Sequence, residues 1–213
     1  MVGPRPKVAI IVAHPDDEIM WAGGTMVLHP GWEKTIVTVC RGRDPDRAPK
    51  FRAVADYLQA VEKMADLDDT PEQPPLSEEE VRETVRELLK GTPYDLLLTH
   101  APKGEYTRHR RHEEVSHAVT ALWRTGEVPA RGLWWFAYHD NGGTILPYAH
   151  PEAHLLVALP HRIWQQKYAL IHDTYGFAVD SWEARVTPRR EAFWCFSSPD
   201  TFAAWRARKD AAS

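Results

Sequence analysis

Residues 8–18 decide the fold of this chain, and they read Val8-Ala9-Ile10-Ile11-Val12-Ala13-His14-Pro15-Asp16-Asp17-Glu18. The apolar run at the start predicts a buried strand, because parallel strands are covered on both faces. The polar residues that follow predict a turn at the carboxyl end of that strand, which is the edge where open α/β sheets bind ligands. One imidazole and three carboxylates lie within five positions here. We therefore expect a divalent metal to be shared among them.

The rest of the chain alternates strand-like and helix-like segments. We expect further strands over 35–40, 95–100, 133–138 and 192–196, helices over 17–28, 50–65, 77–89, 112–124 and 161–172, and a loop over 66–76. This alternation is typical of a parallel sheet covered by helices. We predict an α/β fold of Rossmann-like type, with a mostly parallel sheet and helices on both faces, as a single domain over 1–213.

Composition narrows the function classes. The formal net charge of −4 gives no reason to expect nucleic acid or a membrane surface as a partner. We see no signal peptide and no apolar stretch of the ~20 residues that a membrane span needs, so we expect a cytoplasmic protein. Cys40 and Cys195 are expected to be reduced thiols. The second half is rich in tryptophan, which would suit a homo-oligomer interface.

A second polar cluster follows the predicted strand over 95–100 and ends at His109-Arg110-Arg111-His112. In a parallel sheet it meets the first cluster at the same edge. His14 and Asp17 then offer one nitrogen and one oxygen ligand, and His112 offers a second nitrogen. Three protein ligands leave a fourth position for water, as in catalytic zinc sites. Ferrous iron is the alternative metal for this set.

Two neighbouring side chains are candidates for proton transfer. Asp16 adjoins a ligand and is placed to take a proton from water that the metal has acidified. His109 lies three residues before His112 and could hold a proton or donate it to the leaving group.

These motifs resemble the LmbE-like (PIG-L) family of zinc-dependent N-acetylglucosamine deacetylases. The resemblance rests on His14-Pro15-Asp16-Asp17-Glu18 after an apolar strand and on the later His109-x-x-His112. Cys40-Arg41-Gly42 lies where the family carries a Thr/Ser-x-Gly turn. The middle of the second motif departs from the family's His-Pro-Asp-His, because it is basic here.

The resemblance implies a role for each matching residue. His14, Asp17 and His112 would be the metal ligands, and Asp16 the general base. His109 would assist departure of the amine, and Tyr106 would polarise the amide carbonyl. An arginine after the second strand would hold the substrate, and both Arg47 and Arg52 fit that position.

The implied reaction is hydrolysis of an N-acyl group, above all N-acetyl, from an amino sugar or its conjugate. Two alternatives stay open at this point. One is a metal-dependent binding protein of the same fold that has lost turnover. The other is a hydrolase of a different acyl bond, such as an ester.

Several residues also have structural explanations. Asp16 and Asp17 could cap a helix, and His100 could support a ligand or simply end its strand. His139 lies in a polar loop after a strand, where a substrate contact is expected. Three arginines could favour an anionic substrate, but we favour their pairing with glutamates on a solvated surface; the residues concerned are Arg108, Arg110 and Arg111 with Glu105, Glu113 and Glu114.

Overall fold

A seven-stranded sheet forms the centre of the fold. The computed structural model describes residues 3–70, 72, 74–106 and 109–211. The strands of the described residues, including two outside this sheet, are β1 (Lys7–Val12), β2 (Glu33–Cys40), β3 (Ala60–Leu67), β4 (Leu96–Thr99), β5 (Leu133–Phe136), β6 (Tyr138–His139), β7 (Tyr148–Ala149), β8 (Leu155–Ala158) and β9 (Arg190–Phe196). The order in the sheet is β3-β2-β1-β4-β5-β9-β8, and β6 pairs with β7 alone. The five strands from β3 to β5 are parallel. Strand β9 pairs antiparallel with β5, and β8 pairs antiparallel with β9. The predicted fold class is confirmed.

Helices cover both faces of the sheet, as predicted. They are α1 (Asp17–Leu28), α2 (Arg47–Leu58), α3 (Glu78–Leu89), α4 (Arg110–Thr125), α5 (His161–Ala169), α6 (Trp182–Val186) and α7 (Pro199–Asp210). Buried side chains of α3, α4 and α7 form one apolar core, and those of α1 and α2 form the other. Among the described residues, no helix is both long and apolar enough to cross a membrane.

The predicted helix over 50–65 is wrong in its second half. The helix α2 ends at Leu58, and Gln59 takes a left-handed conformation with φ 53°. The chain then forms β3, which pairs in parallel with β2 at the edge of the sheet. Apolar residues four apart, such as Val61 and Ala65, fit a helix as well as a strand. The open edge of β2 offers hydrogen bonds that decide in favour of the strand.

Ties between strand ends position the first motif. The Thr38 hydroxyl of β2 donates to the Ala13 carbonyl at 2.8 Å. The Thr99 hydroxyl of β4 donates to the Ile11 carbonyl, also at 2.8 Å. The carboxyl ends of β2, β1 and β4 are therefore held at one level. This edge carries the polar residues that follow β1 and β4.

A buried ion pair joins α5 to β9, and its carboxylate also holds α1. Lys167 Nζ lies 2.7 Å from Glu191 Oε1, and both side chains are fully buried. The Glu191 carboxylate also accepts hydrogen bonds from the backbone N–H groups of Gly24 and Thr25 in the middle of α1. Burial of such a pair is tolerable only when the remaining hydrogen-bonding capacity is used, and the Glu191 carboxylate meets this condition.

Removing the lysine should therefore be costly. We expect Lys167→Met to lower the free energy of unfolding by about 3–5 kcal/mol, since it leaves a buried carboxylate without its cation. Lys209→Met is the matched control, because Lys209 meets Glu152 at 3.1 Å on the surface, where a pair contributes less than about 1 kcal/mol. Urea unfolding of both variants measures the difference. Equal, small losses would contradict a stabilising role for the buried pair.

Candidate metal centre

The three predicted ligands meet at one carboxylate oxygen, which belongs to Asp17. Asp17 Oδ2 lies 3.2 Å from His14 Nδ1 and 3.2 Å from His112 Nε2. His14 follows β1, Asp17 begins α1, and His112 lies in the first turn of α4. Burial would raise the pKa of Asp17, but the nearby imidazoles of His112 and His14 hold it well below its ordinary value. The structure thus brings together residues that are far apart in sequence.

Glu105 orients His112 from behind. Its Oε2 lies 2.7 Å from His112 Nδ1 and 2.8 Å from His100 Nδ1. Because a carboxylate only accepts, each Nδ1 donates to it, and the neutral form of His112 then carries its lone pair on Nε2. This Nε2 is buried and, although it lies 3.2 Å from Asp17 Oδ2, makes no hydrogen bond within the part of the chain that the structure describes. A carboxylate behind an imidazole with a free inner nitrogen is the arrangement found at metal ligands.

The electrostatics of the cluster favour positive charge. Burial acts to lower the pKa of His112, yet Asp17 and Glu105 raise it to about 10. Burial acts to raise the pKa of Glu105, yet His100 and His112 lower it to about 2. At His112 the buried carboxylates therefore outweigh the desolvation of the imidazole. A divalent cation among these groups would meet the same need.

Asp69 does for His14 what Glu105 does for His112. Asp69 Oδ1 lies 3.0 Å from His14 Nε2, and Arg41 Nη2 meets the other oxygen of Asp69 at 2.6 Å. The loop that carries Asp69 is fixed by Arg111, whose guanidinium donates to the Asp68 and Pro74 carbonyls. The segment after β3 is thus part of the site, whereas the sequence predicted only a connecting loop there.

The expected pairing of arginines and glutamates on a solvated surface is wrong for two of its members. Arg111 is buried, and its Nη1 meets Glu114 Oε2 at 2.6 Å. Glu105 is fully buried and holds two histidines instead of an arginine. Arg108 lies outside the described residues, and Arg110 is exposed. Glu105 and Asp69 contact the candidate ligands, and the sequence did not predict either of them; the signal was an acidic residue after a strand at the same sheet edge.

Asp16 has a strained backbone and an uncapped side chain. Its φ is 119°, which non-glycine residues rarely adopt. It precedes α1, but its side chain makes no capping hydrogen bond, so helix capping does not explain it. Its carboxylate lies 3.4 Å from Arg47 Nη1. Burial, with the charges of Asp17 and Glu18, raises the pKa of Asp16 well above its ordinary value.

Glu18 lies beneath Asp16. It is fully buried, accepts the Asp16 backbone N–H at 3.0 Å, and accepts the Tyr175 hydroxyl. Burial raises the pKa of Glu18 to about 7. The third carboxylate of the motif therefore supports the strained turn and links it to Tyr175.

His109 and Tyr106 complete the cluster. The His109 ring lies 4.6 Å from that of His14 and 4.3 Å from that of His112. Burial and the two neighbouring imidazoles lower the pKa of His109 to about 3, so its ring is neutral. The ring of Tyr106 lies 5.4 Å from that of His112, and burial raises the pKa of its hydroxyl.

Other ligand combinations are also within reach of one ion. Ring nitrogens of His14, His109 and His112 lie within 4.8 Å of one another, and so do ligand atoms of Asp17, His100 and His112. His100 Nε2 already accepts the Ala13 backbone N–H at 3.0 Å. We therefore regard His100 as support for the site, in line with its full burial.

Two predicted substrate-binding residues lie outside the cluster. Arg52 is 54% exposed and meets Glu62 at 3.5 Å, because it lies further along α2 than Arg47, on the solvent side. His139 packs against Tyr148 and lines a cavity of about 820 Å³ that extends to Tyr106. Arg47, by contrast, lies beside Asp16 with its guanidinium over the Phe177 ring.

The family follows from comparison with known proteins. Residues 9–123 match the model of the PIG-L family, described as GlcNAc-PI de-N-acetylase. The chain belongs to the PIG-L family. The match spans the first motif, β4 and the second motif, so the resemblance seen in the sequence is confirmed. The extent of a single family domain over 1–213 stays a prediction.

The individual proteins that the chain resembles are distant in sequence. An uncharacterized protein, L374, of Acanthamoeba polyphaga mimivirus is 23% identical over 182 residues, which covers 79% of this chain and 75% of that protein. The N,N'-diacetylchitobiose deacetylase of Pyrococcus horikoshii shares the fold with a TM-score of 0.67 at 18% identity, covering 90% and 84% of the two chains. GalB, a 4-carboxy-2-hydroxymuconate hydratase of Pseudomonas putida, does so with 0.56 at 17% identity, covering 85% and 82%.

The strain at Asp16 predicts an unusual order of stability. We expect Asp16→Gly to be more stable than Asp16→Ala by about 1–3 kcal/mol, because glycine relieves the positive φ. Exposed Glu79 in α3 is the control position, where the alanine variant should have a free energy of unfolding about 0.5–1 kcal/mol higher than the glycine variant. Urea unfolding of the four variants compares them. If alanine is preferred at both positions, the turn is not strained.

Proposed function

We propose that this PIG-L protein is a metal-dependent hydrolase that removes an N-acyl group, above all N-acetyl, from an amino sugar or its conjugate. Family membership supports a deacetylase-type hydrolase. The observation that carries the proposal is that the imidazoles of His14 and His112 both lie against the Asp17 carboxylate, and that a second carboxylate holds the other nitrogen of each ring. The cytoplasmic location and homo-oligomeric state of the protein stay predictions from the sequence.

Three residues would hold the metal in this proposal. His14, Asp17 and His112 offer two nitrogens and one oxygen, a set that suits zinc first and ferrous iron second. When bound, such an ion acidifies a water molecule and polarises the acyl carbonyl. The buried His112 Nε2, which has no hydrogen-bond partner among the described residues, fits this use.

Asp16 would act as the general base. Its carboxylate takes a proton from the attacking water, whose oxygen bonds to the carbonyl carbon. The nearby guanidinium of Arg47 favours the charged form of Asp16 before this step, whereas burial allows the side chain to keep the proton until the C–N bond breaks. The departing amine then receives it, either from Asp16 or through the neutral ring of His109.

Tyr106 and Arg47 would act on the substrate. The raised pKa of Tyr106 keeps its hydroxyl protonated, so that it can donate to the carbonyl oxygen as negative charge develops. Arg47 lies against Asp16 and is about a quarter exposed, which leaves donors for a sugar hydroxyl or an anionic substituent.

Amine release from N-acetylglucosamine conjugates tests the reaction. We expect the zinc-loaded protein to release amine, and Asp16→Ala to lose about 10²–10⁴-fold in kcat while keeping its metal, because the base is lost but the ligands remain. His112→Ala should purify with less metal.

The choice of reaction needs its own control, because a hydratase shares this fold. Acetyl esters and unsaturated acids should be assayed beside the amides. Metal-loaded protein that turns over an ester or an alkene but no acylated amino sugar would overturn the deacylase. Metal-loaded protein with no turnover would favour a binding protein, and failure to acquire metal would remove the site itself.

The two arginines of α2 provide a matched pair. We expect Arg47→Ala to lower kcat/KM by about 10–100-fold, the range for losing a hydrogen bond to a charged group. Arg52→Ala should stay within about twofold, because Arg52 pairs with Glu62 on the surface. Steady-state kinetics on one N-acetylated sugar measures both. Equal effects at the two positions would contradict the assignment of Arg47.

A further inference from the structure

Behind His14 lies a second group of metal-binding atoms. A ring nitrogen of His14, the thiol of Cys40 and a carboxylate oxygen of Asp69 lie within 4.8 Å of one another. They follow β1, end β2 and follow β3, which are neighbouring strands of the sheet. The proposed deacylase chemistry uses His14 through Nδ1 and Asp69 only as the support of His14, and it gives no role to Cys40.

The Cys40 side chain packs in the apolar core, where its thiol has no polar partner among the described residues. The residue is fully buried, and no hydrogen bond within the described residues involves its Sγ. Burial raises the pKa of this thiol, so it is neutral in the absence of a metal. Cys195 differs, because it is partly exposed and its thiol donates to the Phe193 carbonyl at 3.8 Å.

We propose that Cys40, Asp69 and His14 form a second, inhibitory site for a soft divalent cation such as Cd²⁺ or excess Zn²⁺. A thiolate, an imidazole and a carboxylate form a ligand set that prefers these ions to Mg²⁺ or Ca²⁺. On binding, the Cys40 thiol and His14 Nε2 each release a proton to solvent. The new bonds replace the hydrogen bond from His14 to Asp69.

The contacts of Asp69 explain why this site fills second. Arg41 donates to Asp69 through Nε at 2.7 Å and Nη2 at 2.6 Å, so an ion must share that carboxylate with a guanidinium. The buried thiol must also be deprotonated. Neither cost applies to a metal held by His14, Asp17 and His112. Occupancy of the second site inhibits because it withdraws the support that orients His14 toward Asp17.

Cadmium binding followed by ultraviolet absorbance tests the site without any enzyme assay. Cd²⁺ is titrated into protein that carries one equivalent of Zn²⁺, and the charge-transfer band of a cadmium thiolate is recorded. We expect the band in the wild type and in Cys195→Ser, and its loss in Cys40→Ser. Cys40→Ala is a second variant in case serine destabilises the buried position. A band that persists without Cys40, or that depends on Cys195, would overturn the site.

Inhibition provides the second readout. In the amine-release assay, Cys40→Ser should raise the Cd²⁺ concentration for half-inhibition by more than about tenfold, the lower end of what losing one supporting residue costs a metal site. Unchanged inhibition would show that the site is not inhibitory. If the protein releases no amine at all, the proposed function fails, but the absorbance titration still decides whether the second site exists.

Discussion

The site depends on the close approach of one carboxylate to two imidazoles. Asp17 Oδ2 lies 3.2 Å from both His14 and His112, and these residues come from separate elements of the fold. Like-charged or unpaired groups at this depth would be costly, so each partner needs the other two. The remaining contacts of the edge, from Glu105 behind His112 to Asp69 behind His14, keep that approach in one geometry.

The sequence carried enough local information to predict the sheet edge. The apolar run before His14 and the strand before His100 are unambiguous, and parallel pairing then brings their ends together. Strand β3 was not predictable from spacing, because Val61 and Ala65 fit a helix equally well. Pairing with β2 is a long-range interaction, which propensity does not record.

The ligand candidates were predictable, whereas the residues behind them were not. His14, Asp17 and His112 stand in recognisable motifs. Asp69 depends on the missed strand β3 and on the burial of the loop after it. Glu105 was assigned to the surface because glutamate beside several arginines normally pairs with them, and only the fold shows that it is enclosed by histidines.

The contacts of Arg111 connect the start of α4 to the loop after β3, which are distant in sequence. Its guanidinium holds the Asp68 and Pro74 carbonyls, and so places Asp69 against His14. Arg111 occupies a middle position of the second motif, where the family usually carries a different residue. Arg111 and Asp69 should therefore vary together: relatives without an arginine at this position are expected to lack the aspartate after β3, and to support their first histidine by other means.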